Sequence, residues 1–211
     1  MKRTIAVALL FTGLGLGGFT LQAGQVNVGV SIRDGNLQSF YLAVGNHYRI
    51  SPQVVIDLRT RHRLLDEELP VVFFLAARAG VRPQVVIDLR MEGRPWLDVA
   101  LHLGLSPEIF FIQVGTPNIG PPYGNAYGYY RQRGLAGDWR ALKLNDREVI
   151  DLVNLRFMSE YHGLPPDEII GLRGKEESFI SIHADISKRK GTRPADKNSK
   201  KSPPAKPKKK K

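Results

Sequence analysis

The octapeptide Pro52-Gln-Val-Val-Ile-Asp-Leu-Arg59 recurs without change as Pro83-Gln-Val-Val-Ile-Asp-Leu-Arg90, 31 residues further on. An identity of this length and mixed composition marks an internal repeat, and each repeat unit has to bury one face against the next. A third copy lies at offset 83, where Ala79-Gly-Val-Arg-Pro83 through Arg90 aligns without gaps with His162-Gly-Leu-Pro-Pro166 through Arg173. The flanks agree too: Leu69, Phe74 and Trp96 fall on Leu152, Phe157 and Phe179. A half-copy, Leu103-Gly-Leu-Ser-Pro107-Glu-Ile-Phe-Phe111, aligns with the same turn at offset 24.

The unit has a physical reading. An amphipathic run such as Leu69 to Arg78 ends at a glycine, where positive φ caps a helix cheaply, and an apolar residue and a proline suited to the next helix's first turn follow. Pro52 and Pro83 are therefore expected to begin equivalent helices, with Val85, Val86 and Leu89 at helical spacing and Trp96, Leu97, Ala100 and Leu101 continuing the pattern. The fold class that follows is mainly α, a stack of short helix-turn-helix-like hairpins. It is opened by a short β segment at Gln25 to Ile32 and closed by a disordered tail. The β-branched Val-Val-Ile leaves a strand as the second reading of Pro83 to Arg90. Phe74 and Trp96, bulky in both aligned copies, are placed in the core.

The chain has 211 residues and a formal net charge of +11, which raises the question of nucleic acid. The distribution answers it. Residues 188–211 hold 12 basic residues against Asp196, while residues 24–187 hold 17 basic and 19 acidic residues, a net of −2. The basicity belongs to a Lys/Pro-rich tail, 188–211, with no apolar residue larger than alanine; such a segment cannot fold alone. A nucleic-acid helix-turn-helix is the third reading of the chain, kept for the case that it is not exported. Its second helices, Gln-Val-Val-Ile-Asp-Leu and Glu-Ile-Phe-Phe-Ile-Gln, are too apolar and acidic to read base edges, so nucleic acid is not the expected partner. Cysteine is absent, which removes disulfides, thiolate metal sites and thiol nucleophiles.

Met1-Lys2-Arg3, the uncharged run Thr4 to Leu21 and the small Ala23 before Gly24 read as a signal peptide, 1–23. The expected location is periplasmic or extracellular, with no transmembrane helix after cleavage. Gly13 to Gly18 match the G-x-G-x-x-G spacing, but no helix-length segment follows to complete a dinucleotide fold. Residues 24–187 then form one domain. The signal segment, Glu68-Leu-Pro-Val-Val-Phe-Phe-Leu75, Trp96 to Pro107 and Pro121-Pro-Tyr-Gly-Asn-Ala-Tyr-Gly128 resemble a group of uncharacterised exported bacterial proteins. The resemblance implies export and a single module and brings no activity with it.

Residues 116–144 break the apolar period and are expected to form an irregular Gly/Tyr-rich loop. Tyr123, Tyr127, Tyr129 and Tyr130, with Arg131 and Arg133 beside them, are the candidate binding residues, a stacking platform for a sugar ring or a peptide. The plainer alternative is that two of these rings cover the open end of the helical stack. The tail residues Lys188, Arg189, Lys190, Lys208, Lys209, Lys210 and Lys211 are candidates for binding an anionic polymer of the envelope. No catalytic motif is present. Asp98 and His102 lie four apart and read as a surface pair, and Asp66, Glu67 and Glu68 read as first-turn acids of a helix. No metal and no cofactor is expected. The sequence thus points to an exported, non-catalytic envelope protein that binds or scaffolds, with a small hydrolase or metal-dependent enzyme of dispersed residues as the alternative.

Overall fold

The computed structural model describes residues 34–115, 119–131, 139, 142–175 and 178–192. Among these residues the chain forms α1 (Gly35–Tyr48), α2 (Pro52–His62), α3 (Leu69–Ala79), α4 (Pro83–Met91), α5 (Trp96–His102), α6 (Gly124–Tyr129), α7 (Asp146–His162), α8 (Pro166–Arg173) and α9 (Phe179–Thr192). Two short 3-10 turns, Asp66–Glu68 and Pro107–Phe110, complete the described elements, and none of these is a strand. None of the described helices is long and apolar enough to cross a membrane.

One turn recurs four times. Arg49-Ile50-Ser51-Pro52, Gly80-Val81-Arg82-Pro83, Gly104-Leu105-Ser106-Pro107 and Gly163-Leu164-Pro165-Pro166 each open with a left-handed residue, at φ 57, 67, 74 and 65°. In each, the apolar residue's N–H returns to a carbonyl five positions back: Ile50 to Gly45 at 2.8 Å, Val81 to Ala76 at 3.0 Å, Leu105 to Ala100 at 3.0 Å and Leu164 to Ser159 at 3.1 Å. That bond satisfies a carbonyl the ending helix leaves open, and the proline two residues later starts the next helix with φ already set. The octapeptide copies accordingly begin α2 and α4, and the third begins α8. Pro83 to Arg90 is helix, not strand, because the cap and the proline decide what the β-branched run leaves open.

The core is built on α3, buried at every position from Leu69 to Ala76, and on α7, against which it packs. Phe74, Trp96, Phe157 and Phe179 are all buried. In α4 the buried set is Val86, Ile87 and Leu89, so Val85 is a correction: it and its repeat mate Val54 lie in the first helical turn and face solvent.

Offset 83 is also a relation in space. Glu68, Arg90 and Trp96 map onto Asp151, Arg173 and Phe179. Arg90 pairs with the buried Glu68 at 2.9 Å and stacks 4.8 Å from the Trp96 ring; Arg173 pairs with the buried Asp151 at 3.5 Å and stacks 5.2 Å from Phe179. The two units also cap each other. The first N–H of α5, at Trp96, donates to Asp146 at the start of α7 at 2.7 Å, and the Phe179 N–H that opens α9 donates to Glu67 just before α3 at 2.6 Å. Asp66, Glu67 and Glu68 do precede a helix, yet each also ties a different neighbour: Asp66 holds Tyr41 and Arg59, Glu67 holds Arg147 and Phe179, and Glu68 holds Arg90 and the Trp96 indole.

Two segment readings change. The stretch 116–144 is not irregular throughout, since its described part contains α6. The expected unstructured tail does not begin at Lys188. Helix α9 runs to Thr192, held by Arg189 on Asp185 at 2.5 Å, four residues apart, and by Lys190 on the His162 carbonyl at 2.6 Å. The expected β segment at 25–32 and the signal segment 1–23 lie outside the described residues, as do 193–211.

Candidate functional site

Beyond the 3-10 turn at Pro107–Phe110 the chain runs extended from Phe111, at φ −83° and ψ 143°. The helices fix this segment from below. Arg156 of α7 donates to the carbonyls of Ile109, at 3.2 Å, and Phe111; Asp167 of α8 accepts from the Gly115 N–H at 2.8 Å. Across from it stands α6, whose Tyr127 hydroxyl donates to the Ile112 carbonyl at 2.8 Å. Burial pushes the Tyr127 phenol up to about 12, so it remains a neutral donor at any physiological pH.

Between the two lies a cleft of about 190 Å³. Ile112, Val114 and Ile119 supply apolar wall, Tyr127 and Tyr130 supply rings, and Gln113, Gly115 and Arg131 complete the lining. Tyr130 is half-buried and belongs to a ring cluster, 4.7 Å from Phe111, 5.6 Å from Trp139 and 6.2 Å from Tyr127, with Phe111 and Tyr127 edge-to-face at 5.5 Å. A rigid aromatic and aliphatic recess with few polar groups is the ordinary form of a small-ligand or side-chain site.

The candidate residues thus separate. Tyr127, Tyr130 and Arg131 meet at the cleft. Tyr129 is exposed and outside its lining. Tyr123 is 1% exposed and leaves the platform: its ring is sealed in the core, and burial, with Asp151 nearby, raises its hydroxyl. Arg133 and Lys208 to Lys211 lie outside the described residues. Lys188, Arg189 and Lys190 belong to α9, and the last two line a second cleft of about 310 Å³ with Leu164, Glu168 and Ile186. Sequence reading missed Ile112, Val114, Ile119 and Trp139. The signal within reach was the apolar run Phe111-Ile-Gln-Val114 just ahead of the tyrosines, with a second tryptophan behind them.

A second cluster joins three helices. Ser39 Oγ of α1 lies 2.9 Å from His183 Nε2 of α9, and His183 Nδ1 lies 3.1 Å from His162 Nε2 of α7. Both rings are buried, and burial lowers both imidazoles; with His183 and the Lys190 ammonium beside it, His162 falls to about 4. The spacing is that of a serine and its base, but neither of the two clefts above is lined by these side chains, and the array reads as an interhelical tie. Asp98 and His102 are both exposed on α5, and no group of three or more metal-ligating side chains occurs among the described residues. Comparison with family models, with curated proteins and with solved structures finds no match to this chain.

Proposed function

We propose that this is an exported, non-catalytic binding protein of the bacterial envelope whose recognition surface is the cleft between Ile112–Gly115 and Tyr127–Arg131. The observation that carries the reading is the convergence of Tyr127 and Tyr130 on an apolar wall pinned by Arg156 and Asp167. A recess held that way is organised before any ligand arrives, so little ordering entropy opposes binding. Its rings suit a flat or cyclic neutral group, a sugar or a peptide side chain, with Arg131 and Gln113 for orientation. The basic sequence after Thr192 adds an electrostatic hold on an anionic envelope polymer, screened as salt rises.

The test is a titration of the full mature protein with neutral oligosaccharides and short peptides, followed by the ¹⁵N amide spectrum. Saturable shifts at Gly115, Tyr127, Tyr130 and Arg131 are expected for a binder. Tyr130→Ala should weaken that binder about tenfold, since an aromatic contact contributes roughly 0.5–1.5 kcal/mol beyond its buried area. Tyr129→Ala, outside the lining, should not change it. Uniform silence of the cleft across both ligand classes would sink the reading. Export is checked by mass spectrometry of the mature N-terminus, with Gly24 expected first.

A further inference from the structure

The extended segment beyond Phe111 has two edges, and the fold uses them differently. In extended backbone the N–H and C=O of one residue point to one edge, and those of the next residue point to the other. The helices hold one edge: the Phe111 carbonyl accepts from Arg156 of α7, and the Gly115 N–H donates to Asp167 of α8 at 2.8 Å. The other edge belongs to Ile112 and Val114 and faces α6, whose Tyr127 hydroxyl donates to the Ile112 carbonyl at 2.8 Å. Among the described residues, nothing bonds the N–H or the carbonyl of Val114, two positions further on. We infer that the cleft takes the carboxyl-terminal end of an extended peptide, which pairs with Val114 as an added strand and places an apolar side chain between Tyr127 and Tyr130. The inference rests on reading the cleft as a binding site and names its ligand class.

Four consecutive residues, Ile112 to Gly115, line the cleft. Side chains of an extended run alternate between faces, as the half-buried Ile112 and Val114 and the exposed Gln113 and Gly115 do here, so a lining of four in a row presents the main-chain edge itself. Strand addition uses such an edge: one ligand residue exchanges both bonds with one residue of the protein, as in an antiparallel pair. Peptide backbone carries its N–H and C=O at the matching spacing, which separates a peptide from a sugar as the ligand. At about 190 Å³ the cleft is smaller than the roughly 300–1,000 Å³ of drug-sized ligand sites, which suits a single side chain. Its walls, Ile112, Val114, Ile119, Tyr127 and Tyr130, select an apolar or aromatic one.

The same geometry decides which end of a peptide enters. An added strand can pair at Val114 but cannot continue past Ile112, because Tyr127 already occupies that carbonyl and closes the edge. The ligand chain therefore terminates there. A terminus brings a charge, and the charge of the cleft selects its sign. Among the described residues the lining holds one cation, Arg131, four positions after Tyr127, and no acid. A guanidinium fork matches a carboxylate, whereas an α-ammonium would meet like charge. Asp167, the acid that touches this segment, acts on the opposite edge, where it accepts from Gly115. Arg156, Asp167 and Tyr127 fix the edge before a ligand arrives, so pairing has only the ligand to order.

The experiment titrates full-length mature protein labelled with ¹⁵N. The probes are acetyl-Ala-Ala-Ala-Phe as the free acid, its carboxamide, forms N-methylated at one backbone amide at a time, and cellotriose. The acid should bind saturably and shift the Val114, Gly115 and Tyr130 amides, and at saturation the Val114 N–H should exchange with water about tenfold more slowly. The carboxamide should bind about tenfold more weakly, the loss expected for one charge-assisted pair. Arg131→Gln should remove most of that difference while leaving carboxamide binding unchanged. N-methylation should weaken the acid by a similar factor at one position alone, the residue paired with Val114. A Val114 exchange rate unchanged at saturation overturns the proposal, as does equal affinity for acid and carboxamide. If cellotriose saturates the cleft and the peptide acid does not, the cleft stands as a binding site and only its proposed ligand class falls; if neither shifts a cleft amide, both fall.

Discussion

The repeated turn depends on one small residue, four positions before the left-handed one: Gly45, Ala76, Ala100 and Ser159. Its carbonyl receives the returning N–H, so the chain passes close over it. At Gly45 the approach is tightest, and an added Cβ would lie 2.7 Å from the Ile50 carbonyl oxygen, a backbone atom that cannot swing aside. Gly45→Ala is therefore expected to destabilise by roughly 1–3 kcal/mol, the range for forced overpacking. The neighbouring change has the opposite sign. Arg49 holds φ 57° where the other three copies have glycine, and left-handed backbone costs a side-chain-bearing residue about 1–2 kcal/mol, so Arg49→Gly should stabilise by about 1 kcal/mol. Urea denaturation of both variants checks the pair. Individual burial was legible in the sequence where two copies agreed, as for Phe74 and Trp96. It was not legible for Val85, whose side of the helix is set by packing partners that the octapeptide does not contain, nor among the tyrosines. Tyr123, Tyr127 and Tyr129 have the same side chain, yet the first two are buried, the second of them at the edge of the cleft with its hydroxyl on the Ile112 carbonyl, while the third faces solvent, a division set by contacts far away in the chain.

At the scale of elements, turn chemistry made the helices readable: glycine, an apolar residue and proline at fixed spacing specify the boundary on both sides. The hairpin of α1 and α2 was harder, because Arg49 stands where glycine would have signalled the turn. α9 was harder still, since its last turns read as tail and are helical through contacts with α7 and α8. Those contacts make its docking sensitive to acid. His183 and Lys190 of α9, His162 and Tyr161 of α7, and Ser39 of α1 meet around the histidine pair. Folded, both rings stay neutral, His162 down to about 4; unfolded, each takes a proton near pH 6.5. The unfolded state then binds more protons below pH 6.5, so the pair's contribution is complete above that value and is lost as pH falls from 6.5 towards 4. Amide exchange should show α9 opening more readily at pH 5 than at pH 7, beyond the change in intrinsic exchange rate. His162→Gln should flatten that dependence. An equal pH response in wild type and His162→Gln would remove the pair as its cause.

The whole molecule is organised by a duplication in which each half completes the other. α3–α4–α5 and α7–α8–α9 repeat the same buried acid, arginine and stacked ring, and the first N–H of each third helix finds its acceptor at the start of the opposite unit. The sequence showed the copies; it could not show the exchange, because Asp146 and Glu67 lie outside the aligned octapeptides and meet Trp96 and Phe179 only in the folded chain, where α5 abuts the start of α7 and α9 abuts the 3-10 turn before α3. Exchange of this kind predicts cooperativity between the halves. Asp146→Ala removes the acceptor for Trp96 N–H and one partner of Arg90, 2.7 Å from its Oδ2, and loss of such a cap typically costs about 0.5–2 kcal/mol. Glu67→Ala does the same for Phe179 N–H and Arg147. If the halves stand or fall together, each variant should lower amide protection in both α5 and α9, thermal unfolding should remain one transition, and the double variant should depart measurably from the sum of the two. Two independent units would behave otherwise, with protection lost only at the altered cap and a second transition separating on heating. That outcome would reduce the reciprocal caps to local contacts and leave the duplication as a feature of sequence without energetic coupling.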